Sequence, residues 1–127
     1  MGRKKIHNDT ESILEQVILA IQEKKGKSII SLDFQKIPDA VAKYFVISHG
    51  TSKTQARAIF DHIIEKVKHN CNTPPYHREG YVNSEWLLID YADVVVHVFV
   101  EEARNFYDIE SLWADAKVNK YDSENKL

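Results

Sequence analysis

Apolar residues recur three or four positions apart near the start of the chain, which is the spacing of one helix face. This stripe consists of Ile13, Leu14, Val17, Ile18 and Ile21. It predicts a helix over residues 9–25, with Asn8 as its N-cap and Glu11 completing a capping box. Gly26 follows at the position where a left-handed residue commonly ends a helix.

A second stripe with helical spacing lies in the middle of the chain. It consists of Ala56, Ile59, Phe60, Ile63, Ile64 and Val67. Ser52 and Gln55 have the spacing of a capping box just before it, and Asn70 is the predicted C-cap. This is the most regular pattern in the sequence, and it predicts a helix that buries one face.

Short β-prone runs separate and follow these helices. Residues 28–34 and 44–48 predict two strands, joined by a connection over residues 35–43. Residues 71–84 are rich in turn formers and predict a long loop, with a short strand around residues 77–81. A loop of this length is a candidate functional segment.

Residues 86–100 predict a β-hairpin around a short turn at residues 90–93. Residues 86–89 are all apolar, and only His97 interrupts the apolar run over residues 94–100. A strand with one wet face would alternate apolar and polar residues, so both faces of this hairpin need cover. The chain has only two main helices and two short terminal ones to cover both faces of the sheet. Either these helices cover the hairpin completely, or part of its apolar surface stays exposed.

The end of the chain predicts two short helices, one over residues 102–107 and one that begins at Asp108 as its N-cap and ends at Ala116. The element order is then αββαββα, which gives an α/β or α+β fold with helices packed on a mixed sheet. We expect one domain over residues 1–127, with an ordered core at about 9–117. Residues 1–7 and the polar stretch from about Asn119 onwards are expected to be loose ends.

Composition and charge argue against several classes of protein. The net charge is -2 and the pI is about 6.3, whereas proteins that grip a nucleic acid backbone usually carry a basic excess. Cys71 is the only cysteine, so an intrachain disulfide is excluded and a reducing compartment fits. No run approaches the roughly 20 apolar residues that span a bilayer. We therefore expect a soluble cytoplasmic protein without membrane or sequence-specific nucleic acid partners.

The turn Gly50-Thr51-Ser52 between a strand and a helix is the most suggestive chemical motif. Nucleotidyltransferases use a Gly-Ser turn in this setting to hold a phosphate at the helix N-terminus. They also need closely spaced carboxylates on the next strand for metal ions, and no such pair follows here. Asp90 and Asp93 flank a turn, where aspartate is favoured for its local hydrogen bonds.

Neither a metal site nor an activated nucleophile is predicted. His69, Cys71 and His77 lie within one segment but lack the ligand number and spacing of a zinc site. His97, alone in an apolar strand, is expected to be structural. We expect no cofactor, no metal, no catalytic residue and no enzymatic activity.

A binding role through the hairpin is the remaining hypothesis. An exposed apolar patch marks a partner surface. Trp and Tyr are enriched among hot-spot residues, the few interface residues that contribute most of the binding free energy. Trp86 and Tyr91, next to polar groups at the ends of the hairpin, are the best candidates.

The chain resembles the ribosomal silencing factor family, also called the Iojap family. The matching segments are YFVISHG at residues 44–50, Ser52, Gln55, Ala58, Ile59, Glu79-Gly80, WLLIDYADVVVHVF at residues 86–99, Arg104, Tyr107 and IESLWADA at residues 109–116. The resemblance covers about residues 13–116. It implies a fold similar to nucleotidyltransferases but without their catalytic carboxylates, in agreement with the missing pair.

The resemblance also implies a partner and a mechanism. Members of the family bind ribosomal protein number fourteen of the large subunit, beside an intersubunit bridge, and so prevent the small subunit from joining. Bacterial members damp translation under nutrient limitation, and organellar relatives assist large-subunit assembly. Relatives also self-associate through the same region of the sheet, which leaves a homodimer open. A large-subunit assembly factor, an RNA-binding assembly factor and a residual nucleotidyltransferase are the alternatives.

The docking surface of the family centres on the hairpin over residues 86–100 and its neighbourhood. The expected contacts here are Trp86, Leu88, Asp90, Tyr91, Val96 and Arg104. For Trp86, Asp90 and Arg104, fold maintenance is an equally weighted alternative, while Leu112 and Trp113 are expected to pin the terminal helix to the sheet.

Two positions depart from the family pattern. Ala92 stands in the hairpin turn where many relatives have glycine, and Lys43 precedes the second strand where many have an acidic or small residue. If residue 92 takes a positive φ, alanine costs roughly 1 kcal/mol there.

Overall fold

The computed structural model describes residues 10–123, which form three α-helices, one 3-10 helix and six strands. In chain order these are α1 (Thr10–Glu23), β1 (Lys27–Asp33), β2 (Tyr44–Gly50), α2 (Lys53–Cys71), β3 (His77–Glu79), β4 (Trp86–Asp90), β5 (Val94–Val100), α3 (Glu101–Tyr107), the 3-10 helix (Ile109–Trp113) and β6 (Lys117–Tyr121). The strands form one sheet in the order β3-β4-β5-β2-β1-β6. Only β2 and β5 pair in parallel. The expected mixed sheet with helices packed on it is confirmed.

The helices divide between the two faces of this sheet. On one face, called the α1/α2 face, apolar residues of α1 and α2 pack against alternate residues of the central strands, such as Val46 and Leu87. On the other face, called the α3 face, Phe45, Ile47 and Phe99 pack against α3, the 3-10 helix and the β1–β2 connection. The central strands are therefore buried on both sides, which explains their near-continuous apolar runs.

The predicted hairpin is confirmed, since β4 and β5 pair antiparallel from Trp86 opposite Phe99 to Asp90 opposite Val95. Side chains alternate between the faces, so Leu87 and Ile89 point towards α1 and α2. The connection over residues 71–84 contains the predicted short strand, β3, at the edge of the sheet.

Two predicted helix ends lie at different residues. Lys25, with φ of 62°, takes the left-handed position after α1, and the Gly26 N–H bonds to the Ile21 carbonyl. Gly26 is instead required for close packing, because a Cβ there would lie 2.4 Å from the Ile21 Cγ2. The C-cap of α2 is Asn72, two residues beyond Asn70, with φ of 52°. The predicted N-cap of α1, Asn8, lies outside the described residues.

The end of the chain contains a strand that the sequence analysis did not predict. Residues from Asn119 were expected to be loose, but Lys117–Tyr121 pairs with β1 as the edge strand β6. The Tyr121 hydroxyl and the Ser31 hydroxyl, 3.0 Å apart, tie the two strands together. Before β6, the predicted helix over residues 108–116 is a shorter 3-10 helix, and Asp108 precedes it with a left-handed φ of 47° rather than as a side-chain cap.

Ala92 adopts the strained conformation that its position suggested, with φ of 73°. The change Ala92→Gly is expected to stabilise the protein by about 0.5–1 kcal/mol, because glycine takes this conformation without a Cβ clash. Urea unfolding at neutral pH measures the difference. The same change at Ala58, inside α2, is the control and should destabilise by about 1 kcal/mol. If Ala92→Gly also destabilises, the turn is not strained.

Candidate functional site

The α3 face is covered incompletely over β4 and the start of β5. Three half-buried apolar side chains lie there, namely Trp86, Leu88 and Val95, and the exposed ring of Tyr107 from α3 borders them. We call these four residues the docking strip. The α1/α2 face of the same two strands is fully buried, so the hairpin offers a partner only one apolar side.

Trp86 is the most heavily contacted member of the docking strip. Its ring stacks on Phe99 with centroids 5.0 Å apart and lies 4.8 Å from the ring of Tyr107. Its indole N–H donates a hydrogen bond to the His97 Nδ1 at 3.1 Å. An aromatic side chain held in this way has little rotamer freedom left to lose when a partner binds.

His97 lies beside Leu88 on the same face of the sheet and is only 4 % exposed. Burial lowers the pKa of its imidazole to about 4, so the ring is neutral at physiological pH. Its Nε2 is buried and has no hydrogen-bond partner among the residues described. The histidine is thus built into the fold, as the sequence analysis expected.

Two of the six expected contacts, Tyr91 and Val96, lie on the α1/α2 face instead of the open face of the hairpin. Val96 has no exposed surface and Tyr91 is 5 % exposed, and both pack in the core beneath α1 and α2. Burial also raises the pKa of the Tyr91 hydroxyl. Neither side chain is part of the exposed surface in this structure.

Arg104, a third expected contact, is also buried, with 7 % of its surface exposed. Its guanidinium pairs with the Glu110 carboxylate at 2.9 Å and donates to the Ser28 carbonyl at 2.8 Å. It also donates to the His49 Nδ1 at 3.0 Å, and burial together with this cation lowers the pKa of His49. These bonds fasten α3 to β1, so Arg104 fixes the helix that carries Tyr107.

The remaining expected residues lie where a partner can reach them. Trp86, Leu88 and Asp90 alternate along β4 with their side chains on the α3 face and are half-exposed. One Asp90 carboxylate oxygen accepts the Ala92 N–H at 2.7 Å, so this residue also shapes the turn. Whether these residues touch a partner stays a prediction.

Sequence reasoning missed Val95 and Tyr107 as surface residues. Val95 is in the same strand as Val96 but points to the opposite face, and strand alternation alone does not show which face is open. Among the terminal residues, Trp113 packs edge-on against Phe34 with centroids 5.1 Å apart, as expected. Leu112 is 72 % exposed, so the expectation that it pins the terminal helix is wrong.

The Gly50-Thr51-Ser52 turn uses its polar groups for helix capping. The Ser52 hydroxyl accepts the Gln55 N–H at 3.1 Å, and the Gln55 Oε1 accepts the Thr51 N–H at 2.7 Å. The Gln55 amide also donates to the Lys24 carbonyl, which ties this turn to the end of α1. Within residues 10–123, no three acidic, histidine or cysteine side chains converge as metal ligands.

Polar residues surround the docking strip. Lys43, at the end of the sheet, forms an exposed ion pair of 3.9 Å with Asp93 in the hairpin turn. His77 and Glu79 on β3 contact each other at 2.6 Å and are likewise exposed. In the described part of the chain, none of the helices combines the length and apolar character needed to cross a membrane.

Comparison with known proteins gives consistent matches over most of the chain. A family model described as "Ribosomal silencing factor during starvation" matches residues 7–127. The chain is 38% identical over 112 residues to the ribosomal silencing factor of Bacillus subtilis, covering 88% of this chain and 93% of that protein. It is 36% identical over 72 residues to the mouse protein named mitochondrial assembly of ribosomal large subunit protein 1, covering 55% of this chain and 32% of that protein.

Solved structures show the same fold. A crystal structure of a protein from Chromobacterium violaceum superposes with a TM-score of 0.79 at 34% identity, covering 84% of this chain and 88% of that one. Another, from Bacillus halodurans, gives a TM-score of 0.71 at 34% identity, covering 82% and 95% of the two chains.

Proposed function

The chain belongs to the ribosomal silencing factor family, and from this premise we propose that it binds the large ribosomal subunit and sterically prevents the small subunit from joining. Translation is repressed for as long as the protein stays bound. We place this activity in the cytoplasm of a bacterium, because the relatives described above that match more than 80% of this chain are bacterial.

The open docking strip carries the proposal. Trp86, Leu88, Val95 and Tyr107 form an apolar surface on a rigid sheet and helix, and such surfaces mark partner sites. The partner that we propose is ribosomal protein number fourteen of the large subunit, beside an intersubunit bridge. A standard interface buries roughly 1,600 Å² in total, which is within reach of one domain of this size.

Charged groups around the strip would set orientation rather than affinity. Asp90 and the Lys43–Asp93 pair are exposed at one end of the hairpin. Exposed pairs contribute little energy, but complementary charges steer encounter and fix register. Removing them should change the association rate and its salt dependence more than the lifetime of the complex.

The mechanism that we propose requires no bond to be made or broken. A folded domain bound at the subunit interface occupies space that the small subunit needs, so inhibition follows occupancy. Self-association through the same strip would compete with binding, because one surface cannot serve both partners at once.

A large-subunit assembly factor is the second candidate function, and the named role of the mouse relative supports it. That function predicts binding to immature large subunits and an assembly defect on deletion.

A residual nucleotidyltransferase would instead bind ATP with magnesium. We expect these ligands to leave the melting temperature unchanged, because the polar groups of the Gly50-Thr51-Ser52 turn already form the hydrogen bonds that cap α2.

Co-sedimentation with purified large subunits tests the proposed function. Wild type should travel with the subunit at physiological salt, and Trp86→Ala should bind at least about 30-fold more weakly, since truncating a buried aromatic anchor costs about 2 kcal/mol or more. Tyr81→Ala is the matched control, because Tyr81 is a half-exposed aromatic that packs against Phe60 of α2, away from the strip. Circular dichroism confirms that each variant is folded. Wild-type protein that stays at the top of the gradient would contradict the proposal.

A further inference from the structure

His97 occupies an aromatic environment next to the docking strip. Its ring centroid lies 4.7 Å from that of Phe45 and 6.4 Å from that of Phe99. It pairs across the strands with Leu88, so the two side chains lie side by side on the α3 face. Because its Nδ1 accepts the indole N–H of Trp86, the neutral ring must carry its proton on Nε2.

In that tautomer the buried Nε2–H of His97 is a hydrogen-bond donor without an acceptor within residues 10–123. In the part of the chain that the structure describes, the Nε2 hydrogen finds no acceptor, and the surrounding side chains are aromatic. An apolar side chain of similar size would avoid this unsatisfied donor, so burial alone does not require histidine at this position. What the imidazole adds is the hydrogen bond to Trp86.

We propose that His97 is the positioning residue of the docking strip, which holds the Trp86 indole in its binding orientation and supplies the acceptor that its N–H needs inside the interface. This inference rests on the proposed function. In the free protein the half-buried indole could bond to water, but a docked partner would exclude that water. Without His97 the N–H would be desolvated and unpaired, and the indole would be free to turn.

Two substitutions separate positioning from stability. His97→Asn keeps an acceptor close to the place of Nδ1, whereas His97→Leu removes it and fits the apolar surroundings. In urea unfolding, His97→Leu should be at least as stable as wild type and His97→Asn less stable. Binding to large subunits should follow the opposite order, with His97→Leu weakened about tenfold and His97→Asn within about threefold of wild type. A residue that only packs would give the same order in both measurements.

A double-mutant cycle identifies the bond itself. Trp86→Phe keeps a ring but removes the N–H, so His97→Leu should have no further effect on binding in that background. An equal loss from His97→Leu in both backgrounds, or wild-type binding by His97→Leu, would overturn the proposal.

Proton NMR of the free protein tests the Trp86–His97 hydrogen bond without any ribosomal subunit present. In the proton NMR spectrum, the Trp86 indole N–H should resonate downfield of the Trp113 indole N–H and should exchange more slowly with solvent. His97→Leu should abolish both differences. The indole of Trp113 is an internal reference, since it makes no hydrogen bond within residues 10–123. Trp86 and Trp113 protons that behave alike in wild type would overturn the positioning role. Wild type that shows the bond but binds no large subunits would instead contradict the proposed function alone.

Discussion

Replacing Leu88 by glutamate is expected to weaken binding to the large subunit by about 100-fold or more while leaving the protein folded. Leu88 lies between Trp86 and Asp90 on β4, and its side chain is half-exposed at the centre of the docking strip. In the free protein a carboxylate there stays hydrated, so the fold loses little. A docked partner would strip that water away and leave a charge buried without a counterion. Titration of fluorescently labelled protein with large subunits measures the loss.

The control for this change is Val82→Glu, which adds the same charge at a side chain that is 97 % exposed in the loop before β4. This variant should bind as wild type does. Leu88→Lys should be as weak as Leu88→Glu, because desolvation of a charge does not depend on its sign. Binding of Leu88→Glu equal to that of Val82→Glu would remove the docking strip from the interface.

Acid is expected to destabilise the protein by roughly 3 kcal/mol between pH 7 and pH 4 through His97 alone. Burial lowers the pKa of His97 to about 4 from an ordinary value of 6.5. Below pH 6.5 the unfolded chain therefore binds a proton that the folded protein excludes until about pH 4. Stability is fully present above pH 6.5 and falls as pH drops towards 4. The pKa of His49 is lowered too, so its contribution has the same sign.

Urea unfolding at a series of pH values measures this dependence, with His97→Leu as the matched variant. The variant lacks the titrating group, so its stability should fall by roughly 3 kcal/mol less than that of wild type over the same range. Parallel curves for the two proteins would show that His97 is not buried in neutral form.

The helices and the hairpin could be predicted because each carries a strong local signal. Regular spacing defined α2, and two dense apolar runs around an Asp-rich turn defined β4 and β5. The strand β6 could not be predicted in the same way. Its sequence, Lys117–Tyr121, is mostly polar, because an edge strand with little burial needs few apolar residues. Its pairing with β1 depends on contacts from the other end of the chain.

The sequence indicated the hairpin as the candidate surface but did not indicate which of its side chains are exposed. The hairpin was recognised as the surface of interest, and Trp86 and Leu88 lie on its open side. Tyr91 and Val96 belong to the same hairpin, but their side chains pack against α1 and α2. The Arg104 side chain is buried in an ion pair with Glu110. Alternation divides a strand into two sets of residues, but only the packed helices decide which set is covered. Which face is covered therefore depends on tertiary contacts, and the local sequence pattern carries no information about them.

We propose that this protein acts by occupying the surface of the large subunit that the small subunit must reach. Light scattering of purified small and large subunits, mixed after the large subunits have been incubated with increasing amounts of wild-type protein, tests it directly. The joined fraction should fall in proportion to the fraction of large subunits that carry the protein, and Leu88→Glu should leave joining intact at the same concentrations. Normal joining by large subunits saturated with wild-type protein would contradict the claim.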